Sequence, residues 1–368
     1  MSLKHQLALT FIKGIGPTLS RSLLAYFGHP EKIFEVPAAR FAKVPGIGSR
    51  IIEQLNLPQA LERAEAEEAY VKKHGIDVIF YTDERYPKRL KNCNDAPILL
   101  YSKGNADLNN RRAVSIVGTR NATDYGRALC KQLIDDLQQY GVLIVSGLAA
   151  GIDVAAHKES LRAELPTVGV LGHGLDRLYP SQNRQTADKM LLNGGLLTEY
   201  PSGTKPDREN FPARNRIVAG MADVTVVIEA GIKGGALITA EIANSYDRDV
   251  FAFPGRITDE YSEGCNFLIR HNKAGLLTCA ADLAHLMGWD TEKDNAAKPK
   301  AKQFALPIDL TADERNIWDI LQHAKAPVSI DDLAIKLSMP LSKLAMDLLN
   351  MEMQGYISAK PGKMYVIG

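Results

Sequence analysis

Cysteine is scarce in this 368-residue chain, and the four present form no pattern: Cys93, Cys130, Cys265 and Cys279 make no C-x-x-C pair and have no histidine at ligand spacing. That argues against a zinc site and against a disulfide framework, so the expectation is reduced thiols and no metal. Excess charge of one sign is also missing. With 44 Lys and Arg against 43 Asp and Glu, the formal net charge is +1, so any polyanion must be met by a local patch rather than by the field of the whole molecule. Long apolar runs are absent, none approaching the roughly 20 residues that span a bilayer, and the start "MSLKHQLALTFIKGIG" has neither a signal-peptide core nor a cleavage site. A cytoplasmic protein without a membrane partner is expected. Two nucleotide fingerprints are lacking as well. "AVSIVG" continues as "TRNATDYG", without G-x-G-x-x-G spacing, and no G-x-x-x-x-G-K-[ST] occurs, so no dinucleotide or nucleotide cofactor is expected.

What remains is ordinary globular composition, 45% hydrophobic and 24% charged, at a length that suits two or three domains. Residues 1–66 carry a degenerate repeat: "FIKGIGPTLSRSLLAYFG" and "AKVPGIGSRIIEQLNL" each set a Gly-Ile-Gly turn before an amphipathic helix. This resembles a helix-hairpin-helix (SAM-like) unit, whose helix N-termini could face a phosphate, and it equally fits an αα-hairpin that only needs two tight turns. Over residues 67–288 apolar, β-rich runs alternate with helices: "AVSIVGTR", "VLIVSGLAAG", "TVGVLGHG", "GGLLTEY", "DVTVVIEAG" and "DVFAFPG" read as strands. That pattern predicts an α/β domain with a Rossmann-like, doubly wound, mostly parallel sheet covered on both faces. A Lys-, Ala- and Pro-rich linker over 289–309 leads to a winged-helix domain over 310–368. Its residues 311–368 hold six basic side chains against seven acidic, and the helix from Leu341 to Met353 offers only Lys343 against Asp347 and Glu352. A protein-contact or structural role therefore fits it as well as DNA reading does.

Ligands of open α/β sheets sit beyond the carboxyl ends of the strands. Glycine turns fall there in four places: Gly118-Thr119-Arg120, Ser146-Gly147 through Gly151, "GHGLDRLYPSQN", and Gly231 through Gly234 and Gly235. Their N–H groups can face an oxygen anion, and Arg120 and Lys233 add charge. The stretch "DRENFPARNRIVAGMA" adds Arg208, Arg214 and Arg216 around Phe211 and Asn215. It reaches the sheet's mouth if "IVAGMA" is a short helical turn. Guanidinium forks suit phosphate, and a ring beside them suits an unpaired base. Core packing for Phe211 and salt bridges for the arginines fit the same residues, and the sequence leaves both open.

"SIVGTR", "VSGLAAGIDVAAHKESL", "GVLGHGLDRLYPSQN", "GGLLTEYPSGTKPDRENFPARNRIVAGMADVTVVIEAG", "GGALITAEIA" and "FAFPG", in this order, resemble the DNA-processing protein A family (DprA, also called Smf) across roughly residues 70–288. The resemblance implies a homodimer that binds single-stranded DNA during natural transformation, protects it and loads a RecA-type recombinase on it, with no catalysis. It implies that Arg120 and the segment Arg208, Asn210, Phe211 line the DNA pocket, with phosphates on main-chain N–H groups around Ser146 and Gly147. The dimer contact is expected in "EGCNFLIRHNKAGLL", through Leu268 and Ile269.

An enzyme is the competing reading. "GGALITAE" is similar to the P-G-G-x-G-T-x-x-E segment of nucleoside-monophosphate phosphoribohydrolases, with Glu241 as the carboxylate, although Ile238 stands where the threonine belongs and Thr239 one position later. Glu241 also fits a plain helix-face carboxylate. His173 and Asp176 suggest acid–base chemistry without a visible nucleophile, and a hydrogen-bonded loop histidine explains His173 as well. Asp153 and His157 stand at i,i+4, suited to a local pair.

Overall fold

The structure, a computed structural model, describes residues 2–289, 310–324, 327–337, 339–360 and 364–367. The chain divides into two compact units, Met1–Glu292 and Lys293–Gly368.

The first unit opens with five helices: α1 (Leu3–Thr10), α2 (Pro17–Phe27), α3 (Pro30–Glu35), α4 (Ser49–Glu53) and α5 (Leu57–His74). The two Gly-Ile-Gly turns lie where the repeat predicts, with Gly16 and Gly48 capping α2 and α4. The boundary expected at residue 66 falls inside α5, which runs unbroken for 18 residues between an Asn56 cap and Gly75. Its Ala60, Ala64 and Val71 share one core with Leu7, Leu23 and Phe41 and with Phe80, Leu99 and Tyr101 of the sheet's edge. The helical segment therefore closes the edge of the sheet by burying apolar surface against it. The buried carboxylate of Glu67 on α5 also accepts the Ser202 N–H at 2.8 Å and its hydroxyl at 2.6 Å, while Arg63 donates to the Ser202 carbonyl.

Beyond α5 come β1 (Asp77–Phe80), α6 (Lys88–Lys91), β2 (Leu99–Gly104), β3 (Ala113–Val117), α7 (Asp124–Leu137), β4 (Leu143–Ser146), α8 (Ile152–Arg162), β5 (Thr167–Val170), α9 (Arg184–Met190), β6 (Gly194–Thr198), α10 (Asn210–Gly220), β7 (Val224–Val227), α11 (Gly235–Ser245), β8 (Asp249–Ala252), α12 (Glu263–Arg270), β9 (Gly275–Leu276) and α13 (Ala280–Leu286). The strands form one sheet in the order β1-β2-β6-β5-β4-β3-β7-β8-β9. From β6 to β9 every pairing is parallel; β1 and β2 add an antiparallel edge. All five residues of β3 are buried, and they alternate between two cores. Val114 and Ile116 meet Ile134 and Leu137 of α7, whereas Ala113 and Val117 meet Ile217 of α10 and Leu237 of α11. Side chains alternate across a strand, so a sheet covered on both faces needs an unbroken apolar run, and each buried aliphatic chain contributes roughly 1.5–3 kcal/mol. The doubly wound sheet expected from those runs is present. Winding from β3 proceeds through β4, β5 and β6 on one side and resumes with β7, β8 and β9 on the other, which leaves a notch beyond the carboxyl ends of β3 and β7.

The second unit holds helices Ala312–His323, Ile330–Leu337 and Leu341–Met353 and a small antiparallel sheet, β10 (Val328–Ser329), β11 (Ile357–Lys360) and β12 (Met364–Ile367), in the order β10-β12-β11. Thr311 and Glu314 make a capping box, and Ile317, Trp318, Leu333, Leu344, Leu348 and Met351 form the core of this winged helix. Apart from Trp289, the linker expected over 289–309 lies outside the described residues.

Candidate nucleic-acid interface

A cleft of about 730 Å³ occupies the notch. Three glycine turns, the loop after β5 that carries Tyr179, and one helix build it. The turn after β3 brings Gly118, Thr119 and Arg120, and a buried carboxylate holds it. The Thr119 N–H donates to the Glu229 carbonyl at 2.7 Å, while the Thr123 N–H at 3.0 Å and the Thr123 hydroxyl both donate to the Glu229 side chain. The turn after β4 brings Gly147, where a Cβ would stand 2.2 Å from Arg214 Nη1 and 2.5 Å from Asp153 Oδ2, so only glycine fits. The turn after β7 brings Lys233, Gly234 and Gly235, with Gly234 capping α11.

The helix is α10, and here the structure departs from the short turn expected at "IVAGMA". Asn210–Gly220 is helical throughout, so the arginines lie on the helix rather than before it. Phe211, Arg214, Asn215 and Val218 face the cleft at i, i+3, i+4 and i+7, with Arg208 just ahead of them. Arg216 falls on the other side and pairs with Glu199, a nearly buried ion pair that fixes the helix rather than a ligand. Burial pushes the Glu199 carboxyl upward, and the guanidinium of Arg216 draws it back down.

Among the expected site residues, Gly118, Thr119, Arg120, Gly147, Arg208, Phe211, Arg214, Asn215, Lys233, Gly234 and Gly235 line the cleft. Ser146 does not. It is fully buried in β4, and its hydroxyl donates to the Ile116 carbonyl at 2.6 Å. Asn210 does not either, its amide turning towards Lys205 at the start of α10. Arg214 is in the floor: it is buried, donates to the Val170 carbonyl, and stands beside the carboxyl of Asp153. Burial raises the Asp153 carboxyl and lowers the Arg214 guanidinium, each opposed by the charge of the other. Arg120, Arg208 and Lys233 have no ion-pair partner among the described residues and supply the free positive charge of the mouth.

The structure also places four further groups of residues. Asp153 and His157 are no pair: Asp153 accepts from the Ala149 N–H at 3.4 Å, and the buried His157 meets the Thr167 hydroxyl at 2.7 Å through Nδ1. Burial drives the His157 pKa down to about 3. His173 is the hydrogen-bonded loop residue, completely buried, and Asp176 pairs with Arg177. Glu241 is not among the residues lining the cleft and pairs with Lys273 at 2.9 Å, so the phosphoribohydrolase reading is not favoured. Leu268, placed at a dimer contact, is 0% exposed in the core under α12, and Ile269 is only partly buried beside it. Sequence reasoning missed Tyr179, which lines the cleft, and Glu229, which holds it. Among the described residues no group of three or more His, Cys, Asp or Glu could hold a metal, and no helix is long and apolar enough to cross a membrane.

Residues 77–288 match the family model of DNA recombination-mediator protein A. The chain belongs to this family. Residues 299–363 match the DprA winged helix domain, and residues 7–56 match a SAM-like helix-hairpin-helix tandem, so the recombination-mediator core is flanked by the two small domains expected. Protein Smf of Synechocystis sp. is 33% identical over 398 residues, covering 98% of each chain. DNA processing protein DprA of Bacillus subtilis is 41% identical over 197 residues, covering 53% of this chain and 66% of that one. The X-ray structure of DprA from Streptococcus pneumoniae superposes with a TM-score of 0.66 at 34% identity, over 77% of this chain and 97% of that one. DNA processing protein A from Helicobacter pylori, solved for its single-stranded DNA binding mode, gives 0.53 at 29% identity, over 58% and 96%.

Proposed function

We propose that the cleft binds single-stranded DNA largely without sequence preference, and that this recombination mediator protects incoming transforming DNA and helps load a RecA-type recombinase onto it in the cytoplasm. The observation that carries the reading is the placement of three unpaired cations, Arg120, Arg208 and Lys233, around aromatic rings in a cleft otherwise walled by glycine turns. Cations take phosphate, and rings take bases of any identity because every base has a π face; only unpaired bases are free to stack. No carboxylate stands free in the cleft for acid–base work, since Asp153 is buried beside Arg214. That arrangement suits a binding role.

We further infer a homodimer through the β9 end of the sheet. There the edge strand leaves backbone groups unpaired, and its Leu276 is 50% exposed. One strand engaging two clefts gains avidity without new contacts. The winged helix fits protein contact better than base reading. The one cation of its Leu341–Met353 helix, Lys343, is paired with Asp313, and Met346, Leu349 and Met353 are exposed.

Anisotropy of a labelled oligothymidylate over a salt series, with duplex competitor, tests the central reading. Affinity is expected to fall with salt at a log–log slope of about −0.7 per neutralised phosphate, and to drop by about a hundredfold or more in Arg120→Ala/Arg208→Ala, since each charged hydrogen bond contributes roughly 1.5–3 kcal/mol. Binding that is indifferent to salt, or equal on duplex, overturns it.

A further inference from the structure

The cleft holds two aromatic rings, and the more open one is not Phe211. Tyr179 lines it with 54% of its surface exposed. Phe211 sits deeper. Its Cδ1 lies against Gly172, where a Cβ would stand only 3.2 Å away, and the Arg120 guanidinium carbon is 5.9 Å from its ring centre. The two rings are 5.9 Å apart and inclined by 36°. A base slotted between them would need two contact spacings of roughly 3.5 Å each, more than the pair leaves, so each ring must serve its own base.

The turn that presents Tyr179 is held with care. His173 is completely buried; its Nδ1 lies 2.9 Å from the Gly174 carbonyl and its Nε2 accepts the Tyr179 N–H at 3.2 Å. Donation at one nitrogen and acceptance at the other require the neutral imidazole, the form that burial also favours. Gly174 N–H donates to the Thr204 carbonyl at 3.2 Å, and Asp176 accepts the Gly203 N–H at 3.0 Å. The adjoining Ser202 is the residue that Glu67 grips. The exposed ring of Tyr179 fills no core, and its hydroxyl makes no hydrogen bond among the described residues. So much fixed backbone for a ring the fold does not use points to a ligand.

We propose that Tyr179 is a second nucleobase subsite of the cleft, stacking an unpaired base next to the one on Phe211. The proposal rests on the single-stranded DNA reading above. It makes the cleft a holder of at least two successive nucleotides whose phosphates run among Arg120, Arg208 and Lys233.

The test separates base from backbone. Wild type, Tyr179→Ala and Tyr179→Phe are titrated with a short labelled oligothymidylate and with an all-abasic deoxyribose-phosphate strand of the same length. Tyr179→Ala is expected to lose roughly tenfold on the thymidylate and nothing on the abasic strand, and Tyr179→Phe to bind both like wild type. Tyr179→Trp, read over the buried Trp289 and Trp318, is expected to be quenched by thymidylate but not by the abasic strand. An equal loss on both strands, no loss on either, or no selective quenching overturns the subsite. If Arg120→Ala/Arg208→Ala weakens binding while Tyr179→Ala does not, the subsite alone falls; if wild type fails to bind thymidylate, the underlying reading falls with it.

Discussion

Single residues in this unit are decided by what surrounds them. His157 shows it most plainly: it is completely buried, reaches only the Thr167 hydroxyl, and is held neutral down to about pH 3, against an ordinary value of 6.5. Between those values the unfolded chain binds a proton that the folded chain refuses, so stability falls as pH falls through that window. From pH 6.5 to pH 5 the expected loss from this one residue is about 1.5 kcal/mol. Denaturant unfolding of wild type and His157→Gln at the two pH values checks it: the variant's pH-dependent loss should be smaller by that amount, whatever its stability at neutral pH. His173, whose pKa burial also lowers, adds in the same direction in both proteins.

At the scale of the element, α10 divides structural from ligand-facing charge. Phe211, Arg214, Asn215 and Val218 occupy the cleft face, while Arg216 turns to Glu199 in a pair with side chains only 13% and 14% exposed. Removing one partner of such a pair leaves the other charge buried and uncompensated, a loss of about 3 kcal/mol. Arg216→Ala is therefore expected to lower the denaturation midpoint clearly while oligothymidylate affinity of the folded protein holds. Arg208→Ala should do the reverse, since Arg208 is exposed and unpaired. Measuring both quantities on both variants separates the two faces. A loss of affinity in Arg216→Ala at full folding would mean that the helix is misassigned. The spacing 211, 214, 215, 218 is visible in the sequence, but Pro212 and the glycine inside "IVAGMA" disguise it as a turn.

For the whole molecule, the sheet has one edge closed by β1, β2 and the helices packed on them and the other ending in the two-residue β9. An edge with an exposed leucine is a place for a second copy to pair. Leu276→Glu is expected to shift the sedimenting species to the monomer, leaving affinity for a strand short enough for one cleft unchanged and lowering it severalfold on a strand that spans two. A variant that stays dimeric, or loses affinity on the short strand, would place the interface elsewhere.

Composition and pattern by themselves determined the class of fold, six of the nine strands of the sheet, the glycine turns at the strand ends and most of the cationic residues, because buried parallel strands demand uninterrupted apolar runs and anion-facing turns demand glycine; the antiparallel edge strands β1 and β2 and the two-residue β9 carry no such run and went unread. Facing directions were decided only in three dimensions. Which of Arg214 and Arg216 meets the cleft depends on the phase of a helix; Leu268 is lost to a partner because α12 packs it inward; and α5 ties the helical segment to the sheet through Glu67 and Ser202, residues 135 positions apart. Tyr179 and Glu229 gained their places the same way. A ring becomes a platform and a carboxylate a staple only when distant turns close around them, and no local pattern records that closure.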